Sequence, residues 1–543
     1  MSRLRNPSAI GPALASFSLT ALAIGVAWWW LGAPIKLPPS PQAAGQKLYC
    51  VSYAPFRGAQ NPLVEGTRVE PQQIDEDLAL LSKYTGCVRT YSVDDGRDDV
   101  LKSARRYGLK VLHGVWVSND PEKTRRQIAT SIALAKAYPD VITAVVVGNE
   151  VLLRGEMSAT NLIAVIREIK AQVSMPVTYA DVWEFWLRYP DVQNAVDFVT
   201  IHVLPYWEDF PIPASHAAAH LTAIRRQVAA AFPNKEIVIG EFGWPSAGRM
   251  REGARPSPSN QARAIIETLA LAQRDNFRVN IIEAFDQPWK RALEGAVGGY
   301  WGIMDRATNA PKFSFDGTVS DHPHWLAQAL AGIFLTALTF AGALAAGRGR
   351  ELSAYLWGKI AMLTFFPAVL FGWTIETVPV ESFSLGSWLR SVAFAATAAV
   401  APIVCASACA AGRPAPIFAS FLGRGAWDRR DGFDWALGGT RVALLLVAVE
   451  AALGLVFDPR YRDIPFAPLT AAVVPFLVLL LFAPRPAGSR GMAETAAAAV
   501  LALSAGYILF NEGFANWQSV WFCAGLVVLA FILVLGRDAP SSG

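Results

Sequence analysis

The stretch PEKTRRQIATSIALAKAY (121–138), followed three residues later by ITAVVVGNEV (142–151), decides the fold. The first piece opens on a proline, whose missing N–H has no partner in a first helical turn anyway, and its apolar residues recur at helical spacing. The second is a short run rich in β-branched residues, apolar on both faces, as in a parallel strand covered on both sides. Together they read as one helix–strand unit.

The same alternation continues outward in both directions. Strand-like runs stand at LYCVSYAP (48–55), CVRTYSV (87–93), KVLHGVWVS (110–118), PVTYADVW (176–183), DFVTIHVLPY (197–206), EIVIGEFGWP (236–245) and VNIIEAFDQ (279–287). Helical patterns such as PQQIDEDLALLSKY (71–84) and SNQARAIIETLALAQR (259–274) lie between them. Eight such units within about 270 residues imply a (β/α)8 TIM barrel, a fold of typically ~250 residues. A doubly wound open sheet would leave the eighth unit unexplained.

Composition places this barrel in a membrane protein. The chain has 543 residues, 53% hydrophobic and 17% charged, with net charge +4. Residues 47–324 hold 31 Lys/Arg and 32 Asp/Glu, whereas residues 325–543 hold only 14 and 12. This excludes a purely soluble protein, a disordered chain and a small disulfide scaffold. The near-neutral middle offers nothing to a polyanion, so no nucleic acid partner is expected. Arg3 and Arg5 precede an uncharged stretch from about Gly11 to Ile35, long enough to span and ending in Trp28, Trp29 and Trp30. An uncleaved signal anchor is favoured over a cleaved signal. Further apolar stretches recur at about 325–346, 355–374, 387–411, 435–457, 468–484, 494–511 and 517–536, making eight spans with the anchor. Loops on the N-terminal side carry Arg3, Arg5, Arg348, Arg350, Arg413, Arg424, Arg429, Arg430, Arg485, Arg490 and Arg537, against Arg460 and Arg462 on the other. The positive-inside rule then puts both termini in the cytoplasm and residues 47–324 outside it. The expected domains are 1–46 (tip, anchor and Pro-rich linker), 47–324 (catalytic barrel) and 325–543 (about seven transmembrane helices).

Barrel chemistry collects at the C-terminal ends of strands. There stand Tyr53, then Arg89 and Tyr91, then Asn149 and Glu150. Asp181, Trp183, Phe185 and Trp186 follow, then His202, Tyr206 and Trp207. Glu241 and Trp244 come next, and last Glu283, Trp289 and Lys290. Aromatic faces suit the C–H faces of pyranoses, and two carboxylates drive glycosidic cleavage. A single glutamate at such a place is most often an ordinary loop-edge acid. Glu150 behind Gly-Asn and Glu241 before Gly-Trp-Pro-Ser, on strands 4 and 7, point together to catalysis. The aromatics Trp183, Phe185, Trp186, Trp207 and Trp289 exceed what two acids require and are expected to include acceptor platforms.

GNEV (148–151), EFGWPS (241–246) and EAFDQPWK (283–290) resemble the signatures of glycoside hydrolase family 17. That resemblance covers about residues 47–316. It implies a retaining β-1,3-glucanase or glucanosyltransferase with Glu150 as acid/base and Glu241 as nucleophile. It further implies Asn149 on the sugar 2-hydroxyl, and Lys290 and Glu294 as charged support. Tyr53, Arg89, Tyr91 and Tyr206 match the family's polar and aromatic lining, and Trp183, Trp207, Trp244, Glu283 and Trp289, from their place at strand ends, are expected to line the substrate with them. Gln287 stands where relatives often have Glu, and IHVLPYW (201–207) departs from the usual sixth strand. The layout of anchor, barrel and spans also resembles bacterial membrane proteins linked to β-(1→3),(1→6)-glucan synthesis. The resemblance therefore implies a membrane-anchored transglycosylase acting on β-1,3-glucan, with the linkage formed open between β-1,3 and β-1,6 linkages or branches, in the bacterial cytoplasmic membrane with its catalytic domain periplasmic. The alternatives are a β-1,3-glucan hydrolase and a non-catalytic glucan-binding or export partner. Expected partners are β-glucan, the lipid bilayer and a glucan synthase or export complex.

No Gly-rich phosphate loop sits between a strand and a helix, so no cofactor is expected. His216 and His220 have metal-ligand spacing but read as solvated surface, and no metal site is expected. Cys50 and Cys87 fall on the first two strands; an oxidising compartment would allow a disulfide there, but a bridge between neighbouring parallel strands is geometrically awkward, so separate thiols are favoured over a bridge. Glu450, inside a span, is expected to pair with Arg441 or Arg390.

Overall fold

The computed structural model describes residues 10–94, 96, 98–350, 352–414, 432–482 and 492–535. They form two compact units. One comprises Pro34–Ala247 and Gly253–Val319; the other gathers the described residues of 1–33, 248–252 and 320–543.

In the first unit eight parallel strands close into a barrel: β1 (Cys50–Ser52), β2 (Cys87–Arg89), β3 (Lys110–Val115), β4 (Ile142–Asn149), β5 (Val177–Val182), β6 (Val199–His202), β7 (Ile237–Phe242) and β8 (Val279–Ile281). Each pairs with its sequence neighbour, and β8 closes on β1. These are the eight expected strands in the expected order. Helices Pro71–Leu81, Pro121–Ala137 and Pro258–Arg274 each begin on their proline. The Asp120 side chain accepts from the N–H groups of Glu122 and Lys123, satisfying two donors the helix cannot.

Strand alternation decides what lies on each side of the sheet. Val51, Val88, Val145, Val199 and Ile239 pack outward in the main core. Cys50, Cys87, Leu112, Ala144, Val146, Ala180, Phe198 and Val238 fill the barrel interior. Further along the same inward rows come Ser52, Arg89 and His202, all buried. The interior thus turns from apolar to polar toward the strand C-termini, and buried polar groups there must be hydrogen-bonded.

Cys50 and Cys87 form a disulfide, correcting the expectation of separate thiols. Val51 pairs level with Val88, which sets the two cysteines side by side on the inner face with Cα atoms 4.3 Å apart. Register, which sequence spacing does not reveal, makes the bridge possible.

The second unit contains helices Ile10–Leu31, Trp325–Ala346, Ala354–Glu381, Leu385–Ala411, Gly432–Phe457, Phe466–Phe482, Met492–Glu512 and Trp517–Val534. Among the described residues, seven helices are long and apolar enough to cross a membrane; Phe466–Phe482, with 17 residues, is shorter. At 1.5 Å per residue it measures about 26 Å, near the lower limit for a ~30 Å hydrocarbon layer. Arg3, Arg5, Arg424, Arg429, Arg430, Arg485, Arg490 and Arg537 lie outside the described residues.

Glu450 pairs with Arg462 at 2.9 Å, not with Arg441 or Arg390. Arg462 follows the end of the helix that carries Glu450 and reaches back along it. Arg441 has Glu494 as its acidic neighbour, and Arg390 acts on Glu381. His322, at the start of this region, is buried with Nδ1 2.7 Å from Glu376.

Candidate active site

The site begins with a turn that only certain residues allow. Gly148 has φ 84° and Glu150 φ 55°, both in the left-handed region. A Cβ on Gly148 would lie 2.7 Å from Val151 Cγ2. The Gly-Asn-Glu order therefore suits the backbone: glycine takes the crowded position and Glu150 is held in a conformation L-residues seldom adopt. Such an outlier at a strand end is a common mark of a functional residue.

The turn sets the Glu150 carboxylate against β6, where His202 Nδ1 lies 2.9 Å from Glu150 Oε1. On its other side His202 Nε2 is 3.3 Å from Arg89 Nη1 and 3.7 Å from Glu241 Oε1. With the imidazole hydrogen on Nδ1, Glu150 accepts from His202 and Nε2 faces the Arg89 guanidinium. Arg89 Nη1 donates to Glu241 Oε1 at 2.9 Å and to the Gly240 carbonyl at 2.8 Å, while Nη2 donates to Asn149 Oδ1 at 2.6 Å. Tyr91 Oη is 2.9 Å from Glu241 Oε1 and 2.8 Å from Ser52 Oγ. Asn280 Nδ2 in turn donates to Ser52 Oγ at 2.8 Å. A chain of side chains from the barrel interior thus ends on Glu241.

Oxygens of Glu150 and Glu241 lie within 4.8 Å of each other. Glu150 keeps 23% of its side-chain surface exposed, whereas Glu241 keeps 5%. One carboxylate is partly open to solvent and the other is held from below, an arrangement suited to proton transfer and nucleophilic attack respectively. Burial pushes the Glu150 carboxyl up, but the His202 hydrogen bond and the charges of Arg154 and Arg89 bring it below its ordinary value. Glu150, His202 and Glu241 also form the one group of close metal-type donors among the described residues. Arg89 sits on two of the three with a permanent positive charge, so the set fits protons and not a cation.

The structure brings Glu283 and Lys290 together as a buried pair, with Nζ 2.9 Å from both carboxylate oxygens. Burial pushes Glu283 up to about 7 against the pull of Lys290. Glu294 is an electrostatic neighbour of Lys290, Glu150 and Glu241, and burial raises it as well. Trp289 is partly exposed, packs on the edge of Phe56 and donates to Gln287 Oε1 at 2.8 Å. Trp207 is partly exposed and lies parallel to Trp301, with an interplanar angle of 12°. Trp183 is partly exposed against the main core.

Other expected lining residues stand elsewhere. Tyr53 is fully buried and its hydroxyl donates to Asp77, which Arg306 also holds. Trp244 is fully buried and donates to the Arg255 carbonyl. Tyr206 is fully buried among Trp207, Trp244 and Trp301. Trp186, a suggested platform, is core and donates to the Thr200 carbonyl. Each sits at a strand end, yet the chain covers it, so none presents a face to a sugar. His220 pairs with Glu208 at 3.1 Å.

Two residues of the site received no role in the sequence reading: His202, which it placed at the end of the sixth strand, and Arg154, which it did not name. His202 bridges both glutamates; its signal is parity, since it follows Phe198 and Thr200 on the inward row of β6. Arg154 donates to the Asn149 carbonyl and to the Val117 carbonyl at 3.0 Å, and lies over Trp116 at 4.4 Å. It ties the turn bearing Glu150 to the loop after β3, and no local pattern announces it.

Part of the chain is similar to known proteins. Residues 50–302 match the model of the BtgE/BtgC glycoside hydrolase domain. A glucan 1,3-beta-glucosidase of Arthroderma benhamiae is 27% identical over 288 residues, covering 48% of this chain and 90% of that protein. The probable glucan endo-1,3-beta-glucosidase btgC of Aspergillus fumigatus is 27% identical over 48% of this chain, which spans 42% of that longer relative. Among solved structures, the glycoside hydrolase family 17 beta-1,3-glucanosyltransferase of Rhizomucor miehei matches half of this chain and 99% of its own, at 24% identity and TM-score 0.44. Residues 50–302 are a BtgE/BtgC glycoside hydrolase domain, a retaining enzyme with Glu150 and Glu241 paired at its centre.

Proposed function

We propose that the protein is a membrane-anchored retaining β-glucan transglycosylase that acts on β-1,3-glucan. The observation that carries this reading is the separation of Glu150 and Glu241, with oxygens within 4.8 Å. Retaining enzymes hold their carboxyls at about 5–5.5 Å, whereas inverting ones leave about 6.5–9.5 Å for a water. The relatives named glucan 1,3-beta-glucosidase support the substrate class.

In this mechanism Glu241 attacks the anomeric carbon while Glu150 gives its proton to the leaving oxygen. Arg89 and Tyr91 orient the Glu241 carboxylate through Oε1, which leaves Oε2 for the attack. The glucosyl-enzyme is then resolved by a second sugar hydroxyl, whose proton returns to Glu150. The partly exposed Trp207 and Trp289 are the acceptor platforms in this reading, and the new linkage is β-1,3 or β-1,6. A held sugar outcompetes water because its positioning is already fixed, an advantage of several kcal/mol. Incubating the detergent-purified full chain with short β-1,3-gluco-oligosaccharides should give products longer than the substrate. Linkage analysis then identifies the bond formed. Only shorter products would make it a hydrolase, and unchanged substrate a binding protein.

The proposed setting is the bacterial cytoplasmic membrane, with the barrel on the periplasmic side. The eleven-to-two distribution of loop arginines supports this orientation. A reporter active only outside the cytoplasm should work when fused after residue 320 and stay silent at residue 543. The reverse pattern would overturn the orientation.

A further inference from the structure

An acid/base delivers its proton only from within hydrogen-bond reach of the glycosidic oxygen, and that reach is set by the backbone from which its side chain springs. The backbone of Glu150 is held at φ 55°, a conformation that persists only where its surroundings over-determine it. The Glu150 N–H is fixed by the neighbouring strand, donating to the Ala180 carbonyl at 2.8 Å. The two carbonyls that flank its Cα, those of Asn149 and of Glu150 itself, both end on a single residue. The Arg154 N–H donates to the Glu150 carbonyl at 2.9 Å, and Arg154 Nη1 donates to the Asn149 carbonyl.

Local sequence makes this double grip possible. EVLLRG (150–155) closes one turn, in which an N–H meets the carbonyl four residues earlier, as in an α-helix. Gly155, with φ 66°, ends the turn, and the Glu156 N–H returns to the Val151 carbonyl at 3.1 Å. Arg154 therefore stands at the close of the turn, where a long side chain can reach back to the residue before Glu150. The guanidinium is itself seated. Nη2 donates to the Val117 carbonyl and to Glu156 Oε2, both at 3.0 Å, and the group lies over the Trp116 ring at 4.4 Å. Trp116 is fixed in turn by its N–H, which donates to Gln127 Oε1 at 3.2 Å. With 24% of its side chain exposed, Arg154 has access to water, yet its fork goes to backbone carbonyls on two different loops.

We propose that Arg154, seated on Trp116, is the positioning residue of the general acid/base: it grips the carbonyls on both sides of the Glu150 Cα and so keeps the left-handed turn, and with it the carboxyl, aligned with the glycosidic oxygen. Arg154 only donates hydrogen bonds and keeps its proton throughout. The proton that leaves with the departing sugar comes from Glu150, and the one from the acceptor hydroxyl returns there. Lysine cannot replace the grip, because a single ammonium on a flexible stem does not serve the Asn149 and Val117 carbonyls from two fixed nitrogens.

The inference rests on Glu150 as acid/base, and the test separates the two. Full-length Arg154→Met is compared with wild type on a β-1,3-gluco-oligosaccharide and on the dinitrophenyl glycoside of the same sugar, whose leaving group departs without a proton. On the oligosaccharide kcat should fall about a hundredfold with KM changed less than about twofold, because the acid is misplaced while the groups that touch substrate remain. On the aryl glycoside kcat/KM, which reports formation of the glycosyl-enzyme, should change less than about twofold. Arg154→Lys should show a smaller loss with the same selectivity, and it carries the test if Arg154→Met does not fold. Equal loss on both substrates, a loss confined to KM, or an oligosaccharide rate within about threefold of wild type would overturn the proposal while leaving Glu150 in place. Glu150→Gln run in parallel should show the selectivity in extreme form; if it loses both substrates alike, the acid/base assignment itself falls.

Discussion

Glu150→Gln and Glu241→Gln should each lower turnover of β-1,3-gluco-oligosaccharides by about three orders of magnitude or more, with the fold intact. The amide at position 241 still accepts from Arg89 and Tyr91 through its oxygen, so the hydrogen bonds below it survive. What it loses is the negative oxygen that forms the glucosyl ester. At position 150 the amide still meets His202 but has no proton to give to an alkoxide. The two losses differ chemically, and a small anion tells them apart. Azide supplied to Glu241→Ala attacks from the vacated side and should yield the α-glucosyl azide. With Glu150→Ala and an aryl glucoside, azide intercepts the glucosyl-enzyme and should yield the β-anomer. Exchanged stereochemistry would reverse the two roles. Wild-type turnover in either glutamine variant would remove that residue from the mechanism.

Arg89→Met should be the most destabilising single change in the site. Arg89 is buried, with 1% of its side chain exposed, and holds Glu241, Asn149 and the Gly240 carbonyl together. Removing one partner of a buried ion pair leaves an uncompensated charge and costs about 3–5 kcal/mol. For a domain of this size that corresponds to a fall in Tm of roughly 6–20 °C. Methionine fills part of the volume, so most of the loss comes from the stranded Glu241 carboxylate. The double variant Arg89→Met/Glu241→Gln should therefore recover part of that stability, because a buried amide carries no charge. Thermal unfolding of the four proteins of this cycle measures the coupling directly. A double variant at the simple sum of the single losses would show that Arg89 acts by packing alone. Arg89→Lys keeps the charge but lacks the fork that reaches Glu241 and Asn149 together, and should fall between.

The catalytic pair and its supports were unequally legible. Glu150 and Glu241 announce themselves because each interrupts an apolar strand end within two residues of a glycine. Tyr91 and Arg89 follow from their place at the end of β2. Tyr53, Tyr206 and Trp244 occupy equivalent places in the sequence and look like equally good lining, yet all three are buried. Distance along the chain from a strand end does not say whether a later loop will cover the side chain.

The sequence by itself determined the elements: eight strand units in order, the prolines that open the helices, the two glutamates and the apolar helices after residue 324. These follow from local rules, periodicity of two or 3.6 and the φ preference of proline, which act within a few residues. Only the tertiary structure decided the partnerships. The Cys50–Cys87 bridge depends on the register of β1 and β2. The choice of Arg462 for Glu450 depends on how the chain returns beyond its helix. His202 against Glu150 and Arg89 on Glu241 depend on barrel closure, which brings residues 52 and 152 positions apart in sequence within hydrogen-bond reach. Such contacts are energetically strong but non-local, so no short window of sequence contains both partners.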